Sequence, residues 1–234
     1  MTTIQTDIHA LRHAIQQLSR REREELAEWI LNSPDGDSWV AEAAVPYRDS
    51  DPRHFTLEEY LQFIGETPGH YEYVAGRIFP VCSPPIRHEI IAANLLFHVQ
   101  GALRGTPCRA FGSHTAVRLK VDQDDIVYLP DLMIACGPFT EDVLDSPWLT
   151  SPCMVAEVLS SSTEAIDRRE KALNYRHIAS LEEYVVVAQR SMEVTVFRRS
   201  DGWRPRIFTS PEDVYESRAV EANISLANIY EGVR

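Results

Sequence analysis

Two hydrophobic periods alternate along the chain. Ile4, Ile8, Leu11, Ile15 and Leu18 recur at helical spacing with Ala14 alongside, which predicts an amphipathic helix. Ser19 and Glu22 form a capping box that opens a second helix over residues 20–31, with Leu26, Ala27, Trp29 and Ile30 on its apolar face. Asn32-Ser-Pro-Asp-Gly36 stops it. Residues 1–34 are therefore expected to form a helical hairpin, an appendage that docks, dimerises or meets a protein partner. Residues 35–54 are rich in Asp, Pro and Ala without periodicity and are expected to be a linker. Residues 55–234 remain as the main domain.

Within that domain Thr56 and Glu59 make another capping box for a short helix over 57–64, closed by Gly65-Glu-Thr-Pro-Gly69. Residues 71–81 read as a β-hairpin turning at Ala75-Gly76. Ser83-Pro-Pro85 starts a helix running to about residue 103, with Ile90, Ile91, Leu95, Val99 and Leu103 on its apolar side. Residues 108–121 read as one strand, 122–125 as a turn, and 126–135 as an apolar strand carrying Asp131. After a loop over 137–151 comes a second apolar strand, 154–159, carrying Glu157. A polar corner at 160–163 leads into a helix over 164–178 with Lys171 on it. Strands at 184–188 and 192–197, a hairpin at Asp201-Gly202 leading to 203–208, and an edge strand within 219–224 complete the domain. This order predicts an α/β (α+β) fold with a mixed central β-sheet flanked by helices.

The acids in the two apolar strands change the picture. An unpaired buried carboxylate is costly, so such groups are normally paired or bound to metal. Neighbouring strands lie about 4.8 Å apart, which brings Asp131 and Glu157 within reach of one divalent ion. Mg²⁺ suits carboxylate oxygens and keeps water in its shell, and Mn²⁺ is the alternative. Lys171 leans back toward the start of its helix, where an ammonium can orient water or stabilise charge on a phosphate. Taken singly, each residue has a plainer reading: Asp131 as a strand-end acid, Glu157 as a buried ion-pair partner, Lys171 as an i, i+4 partner of Asp167.

The formal charge of −12 excludes a protein that works by non-specific phosphate contacts alone. A nucleic-acid role needs a local basic cleft or a metal ion that supplies the positive charge. None of Cys82, Cys108, Cys136 and Cys153 sits in a C-x-x-C pair, so four reduced, mostly buried thiols are expected. His9 and His13 are spaced i, i+4 without a further ligand nearby. No apolar run reaches membrane length, and the first residues lack a signal-peptide layout, so a cytoplasmic protein is expected.

Five blocks carry a resemblance: Tyr71-Glu-Tyr-Val-Ala-Gly-Arg-Ile78, Ser83-Pro-Pro-Ile-Arg-His88, Leu129-Pro-Asp131, Val155-Ala-Glu-Val-Leu-Ser160 and Asp167-Arg-Arg-Glu-Lys-Ala-Leu-Asn-Tyr175. In this order they resemble the Uma-two family of restriction-endonuclease-like proteins in the PD-(D/E)XK superfamily, over roughly residues 55–190. The resemblance implies a mixed sheet flanked by helices and Mg²⁺-dependent phosphodiester cleavage of DNA. It implies Asp131 and Glu157 as catalytic metal ligands, and Glu72 and His88 as a supporting acid and polar contact. Leu159 stands where the superfamily usually has lysine, and Lys171 matches the position that takes over on the next helix. The corner Ser160-Ser-Ser-Thr163 lacks the proline common in the family.

Two readings follow. The first is a Mg²⁺-dependent endonuclease, for which a homodimer is the expected form because two cuts suit two sites related by twofold symmetry. The second is a catalytically silent regulatory module on the same fold, acting through protein partners. The acidity favours the second; the intact acid-acid-lysine set favours the first.

Overall fold

The computed structural model describes residues 54–81, 83–160 and 167–233, all within one compact unit, Asp51–Arg234. The expected helical hairpin with His9 and His13, nearly all of the expected linker, and Cys82 lie outside the described residues.

The domain opens with helix α1 (Leu57–Glu66). Its capping box forms in both directions: Thr56 Oγ1 accepts from the Glu59 N–H at 3.2 Å, and Glu59 Oε2 accepts from the Thr56 N–H at 2.7 Å. Strands β1 (His70–Val74) and β2 (Arg77–Val81) form the expected antiparallel hairpin. Its turn has positive φ at both Ala75 and Gly76, 48° and 87°, the backbone of a two-residue turn that matches strand twist. Glycine is required at 76 for a second reason: a Cβ there would lie 2.2 Å from the His54 ring. Helix α2 (Ile86–Ala102) buries His88, Ile91, Leu95 and Val99 along one face.

Two predicted strands are each divided in the structure. Residues 108–121 form β3 (Cys108–Gly112) and β4 (Ala116–Val121), separated by a turn. Residues 126–135 span most of β5 (Asp124–Tyr128) and β6 (Leu132–Cys136). In both cases the chain leaves one sheet and enters another. Pro130 explains the second break, because it has no N–H to give to a ladder. Apolar character continues through the break, since the residues on both sides are buried, and so hydropathy alone cannot reveal it.

A short helix α3 (Glu141–Leu144) precedes β7 (Trp148–Leu149) and β8 (Met154–Leu159). The π-helical turn Asp167–Lys171 runs into α4 (Ala172–Tyr175). Then come β9 (Glu183–Ala188), β10 (Val194–Arg198) and β11 (Pro205–Phe208). A two-stranded sheet of β12 (Val214–Glu216) and β13 (Asn223–Ser225), with α5 (Leu226–Ile229), ends the described chain.

The strands form a five-stranded sheet ordered β2-β1-β5-β4-β7 and a six-stranded sheet ordered β11-β10-β9-β8-β6-β3. In the larger sheet β8 and β9 run parallel, and the other pairings are antiparallel. Alternation along β8 sends Met154, Ala156 and Val158 into a core with Ile91 and Leu95 of α2. Val155 and Leu159 face the opposite core with Tyr175, Tyr184 and Val186. Glu157 shares their side of the strand, so it points at the segment 167–175 rather than at α2.

Two cysteines correct the expectation of four free thiols. Cys108 and Cys136 stand opposite each other on β3 and β6 and are joined by a disulfide. Cys153 remains a thiol, 3.6 Å from the Cys136 sulfur, and burial pushes its pKa up to about 11. Strand register brings Cys108 and Cys136 together across 28 residues of sequence, and no local spacing signals it. No helix among the described residues is long and apolar enough to cross a membrane.

Candidate active site

Asp131 is the residue before β6, and Leu132 pairs with Ala156 of β8. The antiparallel register therefore sets Asp131 beside Glu157. Asp131 Oδ2 accepts a hydrogen bond from the Val158 N–H at 2.7 Å and lies 3.2 Å from His88 Nε2. His88 arrives from the first turn of α2 and is buried, and its Nδ1 has no hydrogen-bond partner. Burial alone would lower the pKa of this imidazole. The hydrogen bond and charge of Asp131 outweigh burial and hold it above the ordinary value.

Glu157 is 4% exposed, and its Oε1 accepts from Lys171 Nζ at 3.1 Å and from Tyr175 OH at 2.8 Å. Lys171 also donates to Glu72 Oε1 at 2.9 Å and lies 3.4 Å from Asp167 Oδ1. Glu72 comes from β1 of the other sheet, and its Oε1 accepts the Leu129 N–H at 3.0 Å, at the crossing that delivers Asp131. The ammonium sits 5.1 Å from the centre of the Tyr128 ring. Tyr175 packs edge-on against Tyr128 and lies tilted against Tyr184. The aromatic wall keeps water from one side of this pair.

These surroundings set the electrostatics. Burial pushes the Glu157 carboxyl well above the usual carboxylate range; Lys171 opposes this, while Asp167, Asp131 and Glu72 add to it. Burial pulls the Lys171 ammonium down, but Glu157, Glu72 and Asp167 together outweigh it and hold the proton well above the ordinary lysine value. A lysine so placed stays charged at neutral pH, and its charge is what opposes protonation of Glu157.

All five sequence candidates thus lie in two linked groups: Asp131 with His88, and Glu157 with Lys171 and Glu72. Lys171 makes no contact with Asp131; it bridges Glu157 and Glu72. The expected α-helix over 164–178 carries Lys171 on a π turn instead, and residues 161–166 lie outside the described chain. π turns are frequent at functional sites. Tyr175 and Asp167 were not singled out as site residues from sequence. Their signal is the spacing Asp167, Lys171, Tyr175, four residues at each step.

The donor chemistry suits a hard divalent cation. Each acid gives one oxygen to a protein donor: Asp131 Oδ2, Glu157 Oε1 and Glu72 Oε1. Asp131 Oδ1, Glu157 Oε2 and Glu72 Oε2 have no hydrogen-bond donor among the described residues. No three His, Cys, Asp or Glu side chains among the described residues converge into a ready ligand cage. Mg²⁺ does not need one, because it is commonly held by one or two carboxylates with water and phosphate oxygens in the remaining positions.

The profile of the Uma2 family, described as "Putative restriction endonuclease", matches residues 57–228. The chain is 29% identical over 177 residues to the uncharacterized protein slr1290 of Synechocystis sp. (strain ATCC 27184 / PCC 6803 / Kazusa), covering 75% of this chain and 91% of that one. It is 27% identical over 146 residues to the uncharacterized protein sll1609 of the same organism, covering 62% and 80%. A crystal structure of a putative nuclease belonging to DUF820 from Anabaena variabilis ATCC 29413 is similar, with a TM-score of 0.64 at 18% identity, over 77% of this chain and 99% of that one. At that identity the likeness is one of fold.

Proposed function

We propose, on the premise that this chain belongs to the Uma2 family of restriction-endonuclease-like proteins, that it is a divalent-cation-dependent endonuclease hydrolysing phosphodiester bonds of DNA. The observation that carries this reading is the buried pair Glu157–Lys171 beside Asp131, with one oxygen of each acid left without a donor among the described residues. Three more carboxylates, Asp131, Asp167 and Glu72, crowd around Glu157 and disfavour its charged form, because like charges close together are costly. A cation removes that cost.

Asp131 and Glu157 would hold the ion, Mg²⁺ or Mn²⁺. When bound, it supplies Lewis acidity to a phosphate oxygen and lowers the pKa of a water. The protein's own residues do the rest. Val158 N–H and His88 fix the Asp131 carboxylate through Oδ2. Lys171 and Tyr175 both donate to Glu157 Oε1, which favours the ionised form that a ligand needs. Glu72 ties Lys171 to the backbone at Leu129, so the lysine is positioned from both sheets. Lys171 is then chiefly the group that keeps Glu157 charged and aimed.

The test uses the full chain with supercoiled plasmid and Mg²⁺ or Mn²⁺. Cleavage that is lost in Asp131→Ala, with the circular dichroism spectrum and melting temperature retained, supports the reading. Cleavage that survives Asp131→Ala overturns it. If calorimetry detects no Mn²⁺ binding and the plasmid stays intact, the regulatory-module reading takes its place. Sedimentation of the active form tests whether it works as a homodimer.

A further inference from the structure

Away from the acids, the described residues line a polar concavity. A cavity of about 300 Å³ opens between the first turn of α2, the chain leaving β9 and residues 227–233. Arg87, Gln189, Arg190 and Ser191 supply polar lining, and among the described residues Glu231 is the one side-chain carboxylate there. Among its described side chains, two cations face one anion, a positive balance within a chain whose formal charge is −12.

The cations are uncommitted. Arg87 and Arg190 make no hydrogen bond or ion pair among the described residues. Gln189 is only 8% exposed, yet its side-chain amide makes no hydrogen bond there either. Neither polar atom of this amide is buried without a partner, so the exposed part of Gln189 is the amide itself, which opens on the cavity. Guanidinium forks match phosphate oxygens in bidentate geometry, and an amide N–H adds a neutral donor. These groups suit a phosphate.

The place is equally informative. Arg87 directly precedes His88, whose Nε2 lies 3.2 Å from Asp131. Ala188, the residue before Gln189, is opposite Leu159 in the parallel pair β8–β9, two residues beyond Glu157. Both routes from the acids lead to the same rim of the sheet.

We propose that this cavity binds a backbone phosphate of the nucleic-acid strand flanking the bond that the acids act on. The proposal rests on the endonuclease reading and adds what that reading lacked: a local basic contact that holds the strand. The strand would lie across the rim, with one phosphate on Arg87 and Arg190 and another at Asp131 and Glu157.

The experiment compares three full-length proteins: wild type, Arg87→Gln/Arg190→Gln, and a charge-matched control, Arg104→Gln/Arg206→Gln, whose arginines lie outside the cavity. Fluorescence anisotropy with a labelled DNA oligonucleotide, with and without a 5′-phosphate, is read over a salt series. The expected result is at least about a tenfold loss of affinity in the cavity variant and a salt slope smaller by about 0.9, the same for both oligonucleotides. The control stays near wild type. Equal losses in cavity variant and control overturn the proposal, as does a wild type that binds no oligonucleotide. A loss confined to the 5′-phosphorylated strand also overturns it, because the site then takes a terminal phosphate. Failure of the endonuclease reading looks different: wild type binds with the cavity-dependent pattern but plasmid remains uncut.

Discussion

Two buried glutamates on adjacent parallel strands have opposite fates. Glu183, at the start of β9, is 1% exposed and stands opposite Met154; Glu157 lies three residues further along β8 and is 4% exposed, about 10 Å away along the strand direction. Both oxygens of Glu183 are satisfied: Oε1 by Arg198 Nε at 2.7 Å and the Arg218 N–H at 2.9 Å, Oε2 by Tyr215 OH at 2.8 Å and Ser217 Oγ at 2.6 Å. Burial pushes its pKa up, but the bonds from Ser217, Arg218, Arg198 and Tyr215 outweigh burial and hold it below the usual range. Among the described residues Glu157 has donors on one oxygen only and three further acids around it, and its pKa is well above the range. Equal burial with opposite electrostatics separates a group that clamps the fold from a group kept ready for something else.

The sharpest way to break this contrast is to remove each acid in turn. Glu157→Gln and Asp131→Ala are expected to lower plasmid cleavage at least about a thousandfold while the protein stays folded, as read by gel assay and circular dichroism. Glu183→Ala is expected to do the reverse. It leaves the Arg198 guanidinium buried without its carboxylate, at a cost of about 3–5 kcal/mol, measured by urea unfolding, with cleavage per folded molecule unchanged. If Glu183→Ala abolishes cleavage in folded protein, the division between clamp and site fails.

A smaller effect sharpens the Glu157 side. Tyr175→Phe deletes a donor to Glu157 Oε1, a charged hydrogen bond of about 1.5–3 kcal/mol. Losing it favours the protonated acid, so the acidic limb of the pH–cleavage profile should move to higher pH, with about a tenfold loss at neutral pH. An unshifted profile would separate Tyr175 from the state of Glu157.

The smallest effect lies in stability against pH. Because the folded pKa of Glu183 is depressed, its contribution is present above the unfolded carboxylate value, about 4.3, and is lost as pH falls through the folded value. Glu157 has the opposite sign: its contribution is complete below about pH 4.3 and declines as pH rises through the elevated folded value. Glu157→Gln should therefore gain on wild type as pH rises above that point, whereas the destabilisation in Glu183→Ala should shrink as pH falls below it. Urea midpoints from pH 3 to 8 measure both, and parallel curves for the two variants would contradict the assignment.

The chain alone carried much of this. The capping box at Thr56–Glu59, the hairpin turn at Ala75-Gly76 and strand β8 follow from local chemistry: cap side chains, positive φ, an unbroken apolar run. That Asp131 and Glu157 stand side by side was also legible, because an acid in an apolar strand has few structural excuses, and the order of the five sequence blocks pointed to Lys171, Glu72 and His88 as their neighbours. Tertiary structure decided the rest. Apolar continuity through residues 126–135 hid one change of sheet, since a buried run looks alike whichever sheet it joins; at Gly112-Ser-His-Thr115 a polar turn marks the other break, but the alternation on either side does not say that the strands part. The disulfide between Cys108 and Cys136 depends on strand register, which no spacing encodes. Nor does hydropathy foretell the electrostatics of Glu157, between Ala156 and Val158, or of Glu183, between Glu182 and Tyr184, each in a strand that the fold buries. Their difference lies in which donors the fold brings from distant segments: four to Glu183, two to one oxygen of Glu157. A residue's type and neighbours set the cost of burying it, but only the folded chain determines whether that cost is met.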